Sequence, residues 1–277
     1  MIDTIAYFPL QCARNSVPVM DAFLKSCRNA GIRPLPNSLD CDAVVIWSVL
    51  WNGRMAPNKK IYDHYKQQNK PVIVIDVGAL VREKTWKIAI DNINATGYYN
   101  HKQDLDWDRP KKLGLELKTR VKTNENIIIA TQHTASEQVS HVNYSQWIET
   151  TLKKLSEISD RLTVVRHHPR CPLGFDGADV VEKPIKIPGT YDSYDIDFGC
   201  HVMVNFNSGP AVQAAIYGCP VYCDKTSLAY PVSLALEEIN KPPEIDRQEW
   251  FVQICHTEYT TEEIQQGLWL KRLEEKL

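Results

Sequence analysis

Two doubly wound α/β domains are the architecture that this 277-residue chain predicts. Three observations carry it. Continuous apolar runs such as AVVIW (residues 43–47), PVIVIDV (71–77) and NIIIAT (126–131) lack the alternation of a half-exposed sheet. They suit parallel strands covered on both faces. These runs alternate with helical patterns, the signature of βαβ units. The alternation lapses over a polar, charged stretch near residues 98–124, which divides the series in two.

The first domain is expected over residues 1–110: a strand at 4–9, an amphipathic helix at 17–30, the strand AVVIW, a polar helix at 59–68 and the strand PVIVIDV. Residues 111–124 form a linker. The second domain is expected over 125–277. It begins with NIIIAT, a helix at 144–159, the strand LTVVR (162–166) and a short strand at 179–181. A strand at 201–206, a small-residue helix and a strand at 220–223 follow. The stretches 246–256 and 261–277 read as helical, the latter started by Thr260 or Thr261 with Glu262 and Glu263 behind it.

Formal net charge is −2, with 43% hydrophobic and 24% charged residues. No global field draws such a chain to nucleic acid or membrane, so a polyanion site has to be a local patch. No apolar run approaches the roughly 20 residues that span a bilayer. The first residues lack the basic start and apolar core of a signal peptide. The eight cysteines are scattered without a Cys-x-x-Cys pair, as expected of buried thiols in a reducing compartment. These features predict a cytoplasmic protein without a membrane partner. Walker, Gly-x-Ser-x-Gly and His-Glu-x-x-His motifs are absent from the sequence.

Three strand ends of the second domain carry polar residues. In NFNSGPAVQAAIYGCPV (205–221), Asn207 or Ser208 is placed to cap a helix, and Pro210 suits its first turn. Gly218 suits a left-handed stop before Pro220. Gly209 leaves the helix start open, where backbone N–H groups and the helix dipole favour an anion. VVRHHPRCP (164–172) ends a strand in His167, His168 and Arg170. IIIATQHTASEQ (127–138) offers Thr131, Gln132 and His133. Ligands of open parallel sheets bind beyond such strand ends, so a phosphate-bearing nucleotide is the expected ligand. In the first domain, WNGRM presents Trp51, Asn52 and Arg54. Asp76 ends its strand as a candidate proton acceptor, with Arg82, Lys84 and Trp86 following. Arg109–Lys122 holds six cations, Lys111 and Lys112 among them, against Glu116 alone. It is equally a phosphate-tracking stripe and a solvated interdomain segment. Four Asp-x-Asp pairs occur among 34 acidic residues and single out no metal site; Asp195/Asp197 is the pair nearest the polar strand ends.

The strand–Asn207-Ser208-Gly209–small-residue helix–Gly218–Pro220-Val221 pattern resembles the donor-phosphate segment of GT-B glycosyltransferases. His168-Pro169 resembles the His-Pro element of their capsule-polysaccharide and Kdo-transferase-like branch. WNGRM and residues 72–94 are similar to proteins of tailed phages, some of which glycosylate 5-hydroxymethylcytosine in DNA. The resemblance implies two Rossmann-like domains facing a cleft, with a nucleotide sugar, UDP-linked in the best reading, as co-substrate. No cofactor or metal is implied. Thr131, Gln132, His133, His167, His168, Arg170, Asn207, Ser208, Gly209 and Gln213 would hold the donor. Gln213 stands where many relatives carry a ribose-binding Glu. Asp76 would be the general base of an inverting transfer, arabinosyl or glucosyl. Trp51, Asn52, Arg54, Arg82, Trp86, Lys111 and Lys112 would meet the acceptor, double-stranded phage DNA being the partner implied. A polysaccharide or lipid-linked acceptor, a sugar-nucleotide epimerase and a non-catalytic nucleotide- or DNA-binding protein are the competing readings.

Overall fold

The computed structural model describes residues 2–173 and 178–277. In chain order it contains β1 (Thr4–Tyr7), α1 (Val17–Asn29), β2 (Arg33–Pro36), β3 (Ala43–Trp47), α2 (Asn58–Gln67), β4 (Val72–Val77) and β5 (Thr85–Ile90). There follow α3 (Arg109–Lys112), β6 (Ile127–Ala130), α4 (Tyr144–Ile158), β7 (Thr163–Arg166), β8 (Val180–Glu182), β9 (Val202–Asn205), α5 (Gly209–Ile216) and β10 (Val221–Cys223). The last elements are α6 (Gln248–Ile254), β11 (Glu258–Thr260), α7 (Thr261–Gln265) and α8 (Leu268–Leu273). No helix among the described residues is long and apolar enough to cross a membrane.

The chain divides into two compact units, one of residues 1–106, 135–138 and 253–277, the other of residues 107–134 and 139–252. Residues 253–277 thus join the first unit, not the second domain in which the sequence grouped them. The physical reason is apolar: Tyr259, Ile264, Trp269 and Leu273 are buried in one core with Phe23, Ile73 and Ile88. Trp269 stacks on Phe23 with ring centroids 4.3 Å apart, and its indole N–H donates to Ser26 Oγ at 2.9 Å.

The sheet of the first unit has the order β11-β5-β4-β3-β1-β2. Strands β1 to β4 are parallel where they pair, whereas β5 runs antiparallel to β4 and β11 antiparallel to β5. Alternate residues of the apolar strands feed two cores: Val45, Trp47, Ile73 and Ile75 lie in one, and Val44, Ile46, Val72 and Val74 in the other with Ile61 and Tyr65 of α2. That is why these strands read as unbroken apolar runs. Thr260 caps α7 in a reciprocal capping box with Glu263, as the sequence suggests.

The second unit has a fully parallel sheet, β10-β9-β6-β7-β8. Its core joins Ile127, Ile129, Val165, Val202 and Val204 to Ile148, Leu152 and Leu155 of α4. After α5, Gly218 adopts φ +83°, and a Cβ there would stand 2.6 Å from the backbone N of Arg120. Both facts demand glycine.

Candidate functional site

In the second unit, β6, β7 and β9 are neighbours in a parallel sheet, so their C-terminal ends lie at one edge. The loops leaving them are tied together by side chains. Gln132 Nε2 donates to Asn207 Oδ1 at 2.9 Å, and Asn207 N donates back to Gln132 Oε1 at 3.2 Å. Asn207 Nδ2 also donates to Thr226 Oγ1 at 2.8 Å. His168 N donates to Thr131 Oγ1 at 2.8 Å, and Gln132 N to the Tyr144 hydroxyl at 2.9 Å. Thr131, Gln132, His133, His167 and Asn207 are buried. Buried polar groups paired this fully fix their loops in one conformation.

The start of α5 is organised differently from the expected cap. Ser208 occupies the N-cap position with extended geometry, but its side chain makes no capping bond. Asn205, the last residue of β9, takes over. Its Oδ1 accepts from Ser208 N at 2.7 Å, and its Nδ2 donates to Ala130 O at 2.8 Å and Ser208 Oγ at 2.9 Å. One fully buried amide thereby joins β6, β9 and the helix start. The sequence reading missed Asn205, although a polar residue ending an apolar strand was a visible signal. Asn207 serves Gln132 and Thr226 instead of capping. Ser208 and Gly209 remain half-exposed, and Gln213 is half-exposed on α5.

His168 to Cys171 forms a tight turn, closed by Cys171 N donating to His168 O at 3.1 Å. Arg170 N points back to His168 Nδ1 at 3.2 Å. An Nδ1 that accepts belongs to a neutral ring with its hydrogen on Nε2. Leu173 N makes the same contact with His167 Nδ1 at 3.2 Å. His168 packs edge-on to His133 with centroids 5.4 Å apart. Burial, with His133 and Arg170 adding to it, pushes the His168 imidazole down to about 3. Burial and Arg170 also depress His133. These two imidazoles are therefore neutral at pH 7. Arg170 carries the charge, exposed and paired with Asp192 at 2.8 Å.

The Asp195/Asp197 pair is engaged by backbone. Asp195 Oδ1 accepts from Ile185 N at 2.6 Å and Asp197 Oδ1 from Gly199 N at 2.7 Å. No cluster with metal-binding composition occurs among the described residues. The basic stripe is largely committed as well. Arg109 is buried, Arg120 donates to His201 O at 2.8 Å, Lys118 pairs with Glu116, and Lys122 with Glu125 at 2.5 Å. Lys111 and Lys112 remain exposed on α3.

In the first unit, Asp76 is half-buried near the end of β4. Its Oδ2 accepts from Ser48 Oγ at 2.9 Å and its Oδ1 from Val77 N at 2.6 Å. Burial holds the carboxyl above its ordinary value; these two bonds, Lys87 and Arg82 offset part of that rise. Arg82 donates weakly to Gly78 O at 3.4 Å. Asn52 Oδ1 accepts from Gly53 N at 2.8 Å, which leaves Arg54 exposed on the turn that follows. Trp51 is half-buried, its indole N–H donating to Glu137 Oε2 at 2.8 Å. Trp86, expected at the acceptor, belongs to β5. It is a core residue of β5 at 5% exposure, packed 5.6 Å from the Trp47 ring, because its register places it beside Val77 and Tyr259 on the helix-covered face.

No family model and no curated protein matches the chain. Among solved structures it is similar to the beta Kdo 2,4 transferase of Thermosulfurimonas dismutans KpsC. The TM-score is 0.56 over 96% of this chain and 98% of that one, at 11% identity. The beta Kdo 2,7 transferase of the same KpsC gives a TM-score of 0.49 over 99% and 100%, at 13% identity. The first likeness is one of fold: two α/β units, one on a mixed, mainly parallel sheet and one on a fully parallel sheet.

Proposed function

We propose that the protein is a glycosyltransferase that moves a sugar from a nucleotide-sugar donor to a hydroxyl acceptor. The observation that carries the reading is the tied set of polar loops at the ends of β6, β7 and β9, beside the open start of α5, in a chain with a sugar transferase's fold. Backbone N–H groups near Ser208 and Gly209 favour the donor phosphate. The Nε2–H groups of His168 and His167 and the Arg170 guanidinium offer it further donors. Thr131, Gln132, His133 and Asn207 shape the pocket, and Gln213 offers an amide to the donor ribose. In the reaction, the acceptor oxygen bonds to the anomeric carbon as the carbon–phosphate oxygen bond breaks. The nucleotide phosphate leaves with that electron pair. Asp76 takes the hydroxyl proton, and a single displacement inverts the anomeric centre.

A carbohydrate hydroxyl is the favoured acceptor, because the fold is shared with a Kdo transferase and the basic stripe is mostly paired. Modified DNA as acceptor rests on the exposed Arg54, Lys111 and Lys112. Purified protein incubated with a panel of nucleotide sugars, and with oligosaccharide or hydroxymethylated DNA, separates these readings by mass spectrometry. A glycosylated oligosaccharide supports the favoured one, and a glycosylated nucleoside supports the DNA reading. Donor isomerised without any acceptor marks an epimerase. Donor bound but never cleaved or transferred refutes catalysis. Asp76→Asn is expected to abolish transfer and keep nucleotide binding; turnover at the wild-type rate removes Asp76 as the base.

A further inference from the structure

Three ionisable residues stand in one row across the edge of the first unit's sheet. Asp76 on β4 is the direct partner of Lys87 on β5, and Lys87 is the direct partner of Glu258 on β11. Direct partners project to the same face with Cβ atoms about 4.5–5.5 Å apart. Lys87 is therefore flanked on both sides by carboxylates. It is 7% exposed and Glu258 is 1% exposed; burial pushes the Lys87 ammonium below its ordinary value, and Glu258 and Asp76 oppose that.

The two acids are not equivalent. Glu258 accepts Ala79 N at 2.7 Å, Leu80 N at 3.1 Å and Thr85 Oγ1 at 2.6 Å. Gly78 lies so close that a Cβ there would meet Glu258 Oε2 at 2.2 Å. Glu258 is thus fixed in place by a backbone loop. Asp76 is half-exposed and keeps accepting capacity beyond Ser48 and Val77. The other groups near it are Arg82, which favours its charge, and Tyr99. The Tyr99 hydroxyl is enclosed without a partner among the described residues, beside Glu258 and Asp76, and burial holds it protonated.

We propose that Lys87 is a positioning residue for Asp76: from the neighbouring strand its ammonium keeps the carboxylate ionised at neutral pH and hence able to take a proton. Glu258 holds Lys87 charged in turn, so β11 supports the site through β5. The proposal rests on Asp76 being the base of the proposed transfer.

A carbon-13 titration of the aspartate carboxyls, with Asp76 assigned by its loss in Asp76→Asn, reads the effect without substrate. In Lys87→Met the Asp76 midpoint is expected to rise by roughly 1–3 units. In Lys87→Arg it stays near the wild-type value. An unchanged midpoint in folded Lys87→Met overturns the proposal. Lys87→Gln gives the same reading should the methionine variant unfold. A wild-type Asp76 midpoint above neutrality overturns it with no variant at all. Sugar transfer surviving in Asp76→Asn instead refutes the base assignment and leaves the coupling of Lys87 to Asp76 intact. The two failures are therefore distinct.

Discussion

At the scale of single residues, the neutral histidines set the pH behaviour of the proposed donor site. The folded His168 value near 3 lies below the ordinary histidine range around 6.5. A histidine held neutral by folding binds fewer protons than in the unfolded chain between these values. Its contribution to stability is thus intact above about pH 6.5 and lost progressively as pH falls toward 3. A ring with a folded value near 3 stays neutral from pH 8 to 6 and offers a bound phosphate its Nε2–H. Nucleotide binding is expected to take up no proton at His168 over that range, and His168→Ala to weaken binding without changing proton uptake. Calorimetry in buffers of different ionisation heat measures both. Arg170→Ala is expected to weaken nucleotide affinity by roughly tenfold, the scale of one charged hydrogen bond; unchanged affinity would take Arg170 out of the site. The residues of this cluster were legible because His, Pro, Ser and Gly at strand ends are conspicuous. Asn205 was overlooked although it ends an apolar strand; Tyr144 and Thr226 were not legible, since what recruits them is the folded proximity of β6, α4 and the residues after β10.

At the scale of elements, the parallel strands with continuous apolar runs were readable, and three others were not. β2 is RPLP, half prolines, and sits at the edge where a missing N–H is tolerated. β5 carries Lys87 in the middle of TWKIAI and reads as a loop that drifts into an apolar patch. β11 is three residues long. Both β5 and β11 are held by the Glu258 network and by tertiary packing, which local propensity does not record. Glu258→Ala is expected to cost about 3–5 kcal/mol, because it strands Lys87 and two buried amides. Urea titration followed by tryptophan fluorescence measures the loss. Trp269→Ala is expected to cost a similar 3–5 kcal/mol by emptying the volume of a fully buried indole. Gly218→Ala tests the turn after α5: the left-handed backbone alone costs roughly 1–2 kcal/mol, and the Arg120 backbone at 2.6 Å adds to it.

At the scale of the whole molecule, the two units differ in how the chain builds them. The second is nearly continuous over residues 107–252, interrupted only by 135–138, whereas the first needs residues from both sides of it. A fragment of residues 107–252 is expected to unfold cooperatively. Residues 1–106 alone, lacking β11 and the helices α7 and α8, are expected to remain a poorly packed state that binds hydrophobic dye. Adding a peptide of residues 253–277 should restore its near-ultraviolet dichroism. The division between two α/β series was legible near the polar stretch at residues 98–124. The return of residues 253–277 was not, because an amphipathic helix shows which face it buries and not which core receives it.

The split chain path of the first unit has a consequence during synthesis. As a ribosome moves along the message, β1 to β5 emerge early, yet the strand that pairs with β5 is translated some 170 residues later. Throughout that interval β5 presents an open hydrogen-bonding edge with a lysine in its middle. Lys87, whose folded partner Glu258 does not yet exist, then serves as a gatekeeper charge that discourages nascent chains from joining edge to edge.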